Sequence, residues 1–325
     1  MSPFLRIVPL ALLALTSCRS SGPALEIVTV NEGFGRRGPR ILCVVAHPDD
    51  EIAFAGTLFK NAHMLDGASD VLVITNGEGG FKYSTLAEDY YGLELTDEEV
   101  GRAELPAIRR EEFLRGCKWM GVRDALFLDQ QDHRYTQDPE EVLDPGVTPW
   151  DLVFIKQTLR TVLREGDYDL VFTLAPTGET HGHHKAATIL ALEAVRDLPP
   201  SQRPTVLCAR GSEIGTEPEK FSGLSNYSIT GIHVGLAPIV FDRTEGFGYK
   251  SRLTYKIIAN WATAEHKSQG TMQLGMNQTD HENYYFFEIN SPSATERARR
   301  IFTQLEGSPF TERTYGTSAG TNAGS

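Results

Sequence analysis

The chain alternates short apolar runs with amphipathic stretches over most of its length. The apolar runs predict five strands, at 40–46, 70–75, 124–129, 169–174 and 205–209. Stretches with helical periodicity predict helices between them, at 51–65, 102–119, 150–165 and 184–196. Such alternation is typical of a mostly parallel sheet with helices on both faces. The pattern therefore predicts an α/β fold of the Rossmann-like kind.

The N-terminal end departs from this pattern. The apolar run at residues 7–15 follows a single positive charge and is too short to span a bilayer, which takes about 20 residues. Leu15-Thr16-Ser17-Cys18 then resembles a bacterial lipobox. We predict a lipoprotein signal peptide at 1–17 and a lipidated N-terminus and tether at 18–38. The alternative is an ordinary signal peptide whose cysteine is incidental.

These end segments set the expected domain and its location. The main domain is expected at 39–310, and residues 311–325 are rich in Gly, Ser and Thr, which predicts a disordered tail. A lipid on Cys18 would make the membrane a partner. The protein would then be an exported bacterial lipoprotein at the periplasmic face or the cell surface.

The charge and the cysteines exclude some classes of protein. The net charge is −12, which argues against nucleic acid as a partner. Beyond Cys18 the only cysteines are Cys43, Cys117 and Cys208, in apolar or helical contexts. Three such residues make no disulfide framework. We expect them to be buried thiols.

The first candidate for chemistry is His47-Pro48-Asp49-Asp50-Glu51, between the first strand and the first helix. In open α/β sheets ligand crevices form at the carboxyl ends of strands. His47 and Asp50 are three residues apart across the turn, so both can converge on one ion, and Asp49 between them can act as a base. Imidazole and carboxylate suit zinc or a similar ion. The alternative is that the two aspartates only cap the helix.

A second cluster occupies an equivalent place. The strand at 169–174 runs through a polar turn into His181-Gly182-His183-His184, and a helix follows. Three of the nine histidines therefore fall within four residues. Since His181 and His184 are three apart, one can bind a metal while the other faces a substrate.

Together these motifs resemble the LmbE/PIG-L family of metal-dependent de-N-acetylases. The resemblance rests on His-Pro-Asp-Asp-Glu after the first strand and a downstream His-x-x-His that enters a helix. Three weaker similarities extend it over roughly residues 40 to 270: Thr75-Asn76-Gly77-Glu78-Gly79, Arg109-x-x-Glu112 and His266-Lys267-Ser268-Gln269. The resemblance implies a Rossmann-like fold and an N-acetylglucosaminyl substrate.

The resemblance also implies roles for individual residues. His47, Asp50 and His184 would be the metal ligands. Asp49 would be the general base, and His181 would polarise the reacting carbonyl or protonate near it. The expected cofactor is Zn2+, with Fe2+ or another divalent first-row ion as the alternative.

Two motifs depart from the family pattern. The family usually has His-Pro-Asp-His, whereas this chain has His183 in place of the aspartate. The family often has Pro-Asp-Gly near the third strand, whereas this chain has Gln131-Asp132-His133. Asp132 would keep its role, and His133 is expected to narrow the pocket. These departures bear on the substrate and leave the metal site intact.

The sequence pattern gives weaker structural signals in two segments. Residues 80–101 carry several aromatic residues and would emerge at the catalytic end of the sheet, where they would either stack on sugar rings or pack on one another. Residues 210–250, rich in Gly and Ser, are expected to add strands and another wall of the cleft.

We therefore expect a zinc-dependent hydrolase of a linear amide bond that removes an acetyl group from an N-acetylated sugar or glycoconjugate. One rival is a non-haem iron(II) oxygenase, because two histidines and a carboxylate also form its metal site. That class usually has a jelly-roll barrel, which the predicted helices disfavour. The other rival is a lipid-anchored carbohydrate-binding protein without catalysis, in which Asp49 would have no use.

Overall fold

The computed structural model describes residues 24–35 and 37–307 of the chain. The predicted signal peptide, Cys18 and the predicted C-terminal tail lie outside these residues. The described residues form ten strands: β1 (Glu26–Thr29), β2 (Arg40–Val45), β3 (Ala68–Thr75), β4 (Asp124–Gln130), β5 (Leu170–Leu174), β6 (Thr205–Ser212), β7 (Ile239–Asp242), β8 (Gly246–Phe247), β9 (Leu253–Thr254) and β10 (His281–Phe286).

The same residues form nine α-helices, joined in places by short 3₁₀ turns such as Asp50–Phe54 and Glu78–Tyr83. The helices are α1 (Ala55–Leu65), α2 (Thr85–Tyr91), α3 (Glu98–Met120), α4 (Pro139–Leu143), α5 (Leu152–Gly166), α6 (Gly182–Arg196), α7 (Tyr255–Glu265), α8 (Gly270–Leu274) and α9 (Pro292–Gly307). The predicted strands and helices are confirmed, with boundaries that shift by a few residues.

Eight strands make one twisted sheet in the order β1-β4-β3-β2-β5-β6-β10-β7. The five central strands, β4 to β6 in this order, are parallel, and β1, β10 and β7 add antiparallel edges. From β2 the chain moves outward through β3 and β4, and it later returns to pair β5 with the other side of β2. The switch point of the sheet therefore lies between β2 and β5.

The core forms two layers because successive residues of each central strand face opposite sides of the sheet. Ile41, Cys43 and Val45 of β2 pack against one cluster, which includes residues of α1, α3, α7 and α9. Leu42 and Val44 pack against the other cluster, which includes residues of α5 and α6. The α/β fold with a mainly parallel sheet and helices on both faces is thus confirmed. The described residues do not form the jelly roll expected of the oxygenase rival.

The three cysteines that the structure describes are buried free thiols, as expected. Burial is the main reason that the pKa of each thiol lies well above its usual value. Among the residues that the structure describes, none of the helices combines the length and apolar character needed to cross a membrane.

The structure differs from the expected tether at one place. Residues 26–29, which the sequence analysis assigns to the tether at 18–38, form β1 and pair with Asp124–Phe127 of β4. Ordered packing therefore begins before residue 39. A four-residue edge strand is mostly exposed, so its apolar pattern is weak, and its backbone pairing with β4 specifies it instead.

Candidate metal centre and active site

The site lies where the switch point of the sheet places the carboxyl ends of β2 and β5 side by side. His47 follows β2 by two residues, and the histidine cluster lies between β5 and the start of α6. Ile41 of β2 is in register with Leu170 of β5, so the ends of these parallel strands meet at the same edge. The fold thus brings together two motifs that are far apart in the chain.

His47, Asp50 and His184 meet at one point. Nδ1 of His47 lies 2.9 Å from Nε2 of His184, which lies 3.0 Å from Oδ1 of Asp50. One ligand-type atom from each residue falls within 4.8 Å of the others. Two ring nitrogens this close require a proton or a cation between them. The donor set fits a divalent first-row ion.

Backbone N–H groups of its own loop hold the side chain of Asp50 in place. Its Oδ2 accepts hydrogen bonds from the backbone N–H groups of Ala46 and His47, at 3.0 and 2.8 Å. Burial raises the pKa of Asp50, but the charge and hydrogen bond of His184, together with His47, outweigh it and hold that pKa well below its usual value. Asp50 is therefore a fixed carboxylate. Asp49, the residue that precedes the 3₁₀ turn, accepts no capping hydrogen bond through its side chain, in contrast to the alternative interpretation.

Asp49 lines the cavity beside this cluster and is absent from the triad of ligand-type atoms. Burial and the neighbouring charge of Asp50 raise the pKa of Asp49 to about 7. A carboxylate with such a pKa can take up a proton and return it near neutral pH. Asp49 therefore lies in the cavity lining where the predicted base is expected, beside the proposed ligands.

His181 caps the first turn of α6. Its Nδ1 accepts a hydrogen bond from the backbone N–H of His183 at 3.0 Å. Burial and the neighbouring charges of His47, His183 and His184 lower the pKa of His181 to about 3. The ring is therefore neutral near pH 7, and because Nδ1 is an acceptor, the proton is on Nε2. His181 is consequently an N–H donor.

His183 lies on the other side of His47. Its Nδ1 is 3.1 Å from Nε2 of His47 and 3.3 Å from Oδ1 of Asp132. His183 is fully buried and does not line the cavity, whereas Asp132 does. His133 was expected to narrow the pocket, but it is absent from the cavity lining and packs its ring 5.5 Å from that of His183. This correction follows from the turn after β4, which directs Asp132 and not His133 into the cavity.

All five predicted site residues border one open cavity of about 630 Å³. Besides them, the lining is mixed: Ile52, Ala53, Gly79, Gly80, Tyr83, Arg109, Asp132, Tyr135, Leu174, Gly211, Arg243, Gln269, Thr271, Met272 and Thr279. Tyr83 and Tyr135 are more than half exposed. The cavity has the size of a site for a small molecule.

Two buried networks hold the loops around the cavity. The guanidinium of Arg109 donates hydrogen bonds to the carbonyl oxygens of Gly77, Gly80 and Ser268. Glu51 accepts a hydrogen bond at 2.7 Å from His266, and both residues are fully buried. The weak sequence elements around Arg109 and His266 therefore lie next to the site, where they fix its walls.

Sequence reasoning did not identify several wall residues. Arg243 pairs with the buried carboxylate of Glu282 at 2.7 Å, but nothing in the Gly- and Ser-rich segment around it indicates this. Tyr135 brings its ring 4.7 Å from that of His181 and lies in a segment without any motif. Only the aromatic content of residues 80–101 gave a signal, and there Tyr83 reaches the cavity while Phe81 packs internally.

The molecule is thus an α/β protein whose mostly parallel sheet carries, at its switch point, a histidine–aspartate cluster that could hold a metal ion. Residues 42–195, from β2 to the end of α6, match the model of the PIG-L family, described as GlcNAc-PI de-N-acetylase. The match of this part of the chain to the PIG-L (LmbE) family confirms the resemblance seen in the sequence.

Three similar curated proteins carry the names of deacetylases. The 1D-myo-inositol 2-acetamido-2-deoxy-alpha-D-glucopyranoside deacetylase of Corynebacterium urealyticum is 29% identical over 170 residues, 49% of this chain and 48% of that protein. The probable N-acetyl-alpha-D-glucosaminyl L-malate deacetylase 2 of Bacillus cereus is 22% identical, over 51% and 65%. The diacetylchitobiose deacetylase of Thermococcus kodakarensis is 26% identical, over 66% and 62%. The chain thus spans about half to two thirds of these relatives.

Two solved structures resemble the fold. The N,N'-diacetylchitobiose deacetylase of Pyrococcus horikoshii has a TM-score of 0.40 at 17% identity and covers 76% of this chain and 83% of its own. The 4-carboxy-2-hydroxymuconate hydratase of Pseudomonas putida has a TM-score of 0.47 at 15% identity, with 78% and 98% covered. At such identities nothing about the activity of this chain follows from them.

Proposed function

We propose that the protein is a metal-dependent hydrolase that removes the N-acetyl group from an N-acetylglucosamine-type sugar or glycoconjugate. The observation that carries the proposal is the convergence of His47, Asp50 and His184 at the wall of a cavity that Asp49 and His181 also line. The three relatives support the substrate class, because each is named as a deacetylase of an acetylated sugar compound.

The proposed ligands are His47, Asp50 and His184, and zinc is the ion that their two imidazole nitrogens and one carboxylate oxygen suit best. Fe2+ and other divalent first-row ions accept the same donors. A bound zinc ion would lower the pKa of a water molecule and polarise an amide carbonyl. Every other step falls to residues of the chain.

Asp49 would move the proton. As the water oxygen bonds to the acetyl carbon, Asp49 takes the proton that the water loses. Asp49 then gives that proton to the nitrogen of the sugar as the C–N bond breaks, which leaves acetate and a free amine. The raised pKa of Asp49, about 7, supports both transfers, because neither protonation state is strongly disfavoured near neutral pH.

His181 would stabilise the charge that develops on the carbonyl oxygen. Its Nδ1 is engaged by the backbone N–H of His183, so its Nε2–H is the group available to donate. A preorganised donor of this kind acts without a change of protonation state. This assignment favours polarisation by a neutral His181 over protonation by a charged one.

Acetate release from a panel of acetylated sugars tests the proposal. Full-length protein is loaded with zinc and given N-acetylglucosamine, diacetylchitobiose and N-acetylglucosaminyl glycosides, and acetate and free amine are both quantified. We expect equal amounts of the two products, their loss after chelation and their return when zinc is restored. Metal-loaded protein that releases no acetate from any of these compounds would refute the proposal, and dioxygen consumption with a 2-oxo acid would support the oxygenase rival.

We also propose that the enzyme is an exported lipoprotein, anchored by Cys18 at the periplasmic face or the cell surface. The support is the lipobox-like sequence Leu15-Thr16-Ser17-Cys18 after a short apolar run. Seven residues, 19–25, then separate Cys18 from the start of β1 at Glu26.

A further inference from the structure

Both ring nitrogens of His47 are engaged, on opposite sides of the ring. Nδ1 faces the cluster with Asp50 and His184. Nε2 faces His183 Nδ1 at 3.1 Å and Asp132 Oδ2 at 3.9 Å. A neutral imidazole carries one proton, and the nitrogen that lacks it is the one that can bind a metal. The residues around Nε2 therefore determine whether Nδ1 is free of a proton and can bind a metal.

We propose that His183 and Asp132 are positioning residues that hold the proton of His47 on Nε2, so that its Nδ1 presents a lone pair to the metal. This inference rests on the proposed function only in that His47 binds a metal. His183 Nδ1 lies within hydrogen-bond distance of His47 Nε2, and the Asp132 carboxylate, 3.9 Å from the same nitrogen, adds a negative charge that favours a proton there. A metal-bound histidine commonly donates its second N–H to such a partner, which fixes the ring and its tautomer.

The surroundings of His183 suit this task. The residue is fully buried, and its ring lies between those of Trp150 and His133, with centroid distances of 5.1 and 5.5 Å. Its orientation is therefore set by packing. Because His183 does not line the cavity, it has no access to a substrate. The first turn of α6 thus supplies a ligand, His184, and beside it the residue that orients another ligand.

The same geometry has a competing explanation. His47, His181 and His183 each offer a ring nitrogen within 4.8 Å of the others, which is close enough to hold a second cation, with the His47 ring bridging two ions. Such a bridge requires the ring to lose both protons, which is far costlier than a hydrogen bond. The number of ions bound per chain separates the two explanations.

The test measures zinc affinity of full-length protein by competition with a chromophoric chelator. His183→Leu and Asp132→Asn are each expected to weaken zinc binding about 10- to 100-fold, the usual effect of removing a partner of a metal-bound histidine. His183→Asn keeps an acceptor near the position of Nδ1 and should recover most of the affinity. His63→Leu is the matched control, since it removes another histidine, on α1, that does not line the cavity.

A double variant checks that the two residues act through one nitrogen. The loss of affinity in His183→Leu/Asp132→Asn should differ from the product of the two single losses, because the single effects are coupled. Thermal unfolding of each metal-free variant confirms that it folds. A merely structural role would lower that melting temperature and leave the zinc affinity of the folded protein unchanged.

Three results would overturn the inference. Folded His183→Leu with wild-type zinc affinity would show that His183 does not position His47, even if the enzyme proves to be a deacetylase. Two zinc ions per wild-type chain would favour the bridged pair. Wild-type protein that binds no divalent ion would remove this inference and the metal in the proposed function together. Absence of deacetylase activity together with normal zinc binding would refute only the proposed function and would leave this inference standing.

Discussion

Nδ1 of His47 lies 2.9 Å from Nε2 of His184, although 137 residues separate the two in the chain. The pairing of β2 with β5 alone brings them together, because each histidine belongs to the turn at the end of one of these strands. Neither turn holds a complete set of ligands. The proposed centre therefore exists only when the central strands are paired.

Removing one imidazole should empty the proposed metal site. We expect His184→Ala to lose bound zinc and with it most activity, since two protein ligands remain of three. Zinc per chain, measured after dialysis, checks this. His233→Ala is the control, because His233 does not line the cavity. Full zinc content in folded His184→Ala would show that the ion binds elsewhere.

Asp49 and Asp50 are neighbours with different expected roles. Asp49→Asn should keep zinc but lose turnover by about 10²-fold or more, because the base that accepts the water proton is gone. Asp50→Asn should instead lose zinc. Metal content and acetate release measured on both variants separate a base from a ligand. Zinc-loaded Asp49→Asn with normal turnover would exclude Asp49 from the mechanism.

Tyr83 is expected to bind the sugar at the mouth of the cavity. Tyr83→Ala should raise KM about 2- to 10-fold with little change in kcat, because stacking on an aromatic ring contributes about 0.5–1.5 kcal/mol to ground state and transition state alike. Tyr90→Ala is the matched control, since Tyr90 is an exposed tyrosine of the same segment that does not line the cavity. Equal effects of the two changes would refute a specific contact.

The buried pair of Glu51 and His266 should contribute to stability in a pH-dependent way. Glu51→Gln should lower the free energy of unfolding by about 1–3 kcal/mol, because it leaves a buried imidazole without its charged partner. Urea unfolding measures this. Glu265→Gln is the control, since Glu265 pairs with Arg115 nearer the surface and should cost less than about 1 kcal/mol.

The direction of the pH effect follows from His266. Burial lowers the pKa of His266, but the charge and hydrogen bond of Glu51 outweigh it and raise that pKa above the usual value. The stabilisation is then complete below the pKa of the unfolded histidine, about 6.5, and is lost as pH rises through the raised value in the folded protein. The difference between wild type and Glu51→Gln should therefore shrink as the pH rises above about 6.5. A difference that grows with pH would contradict a charged His266.

Cys18 should determine where the protein is found. Cys18→Ser is expected to prevent lipidation and to move the protein from the membrane fraction to the soluble exported fraction, or to block its processing. Stable anchoring needs more than one acyl chain, so mass spectrometry of the mature wild-type N-terminus should find several. A mature N-terminus without lipid would refute the prediction. Zinc binding and acetate release should be the same in both proteins.

The sequence predicts the central sheet well because its signals are local. Each of the strands from β2 to β6 is an apolar run, and each chemical motif directly follows one of them, at β2 and β5. Adjacent residues thus carry most of the information about the proposed ligands. The order of the strands is still needed to join the two motifs, and no local pattern carries it; the resemblance to a family implied the ligand set without that order.

The edges of the sheet and the cavity walls could not be predicted in the same way. β1, β7 and β10 pair in antiparallel fashion, and their places depend on partners far along the chain. Arg243 directly follows β7, and the register of β7 with β10 places Arg243 next to Glu282 of β10. This pairing is what holds Arg243 at the cavity. A single arginine among Gly and Ser residues gives no local sign of such a contact.

The family match ends at residue 195, and residues on both sides of this boundary line the cavity. The groups proposed to break the amide bond, from His47 to His184, all precede it. Gly211, Arg243, Gln269, Met272 and Thr279, which shape one wall, all follow it. The proposed ligands and base thus all precede this boundary, while the cavity lining includes Tyr83 and Tyr135 before it and further residues after it. A recombinant that exchanged only the later part with a relative would keep the proposed reaction centre and change only part of the cavity wall.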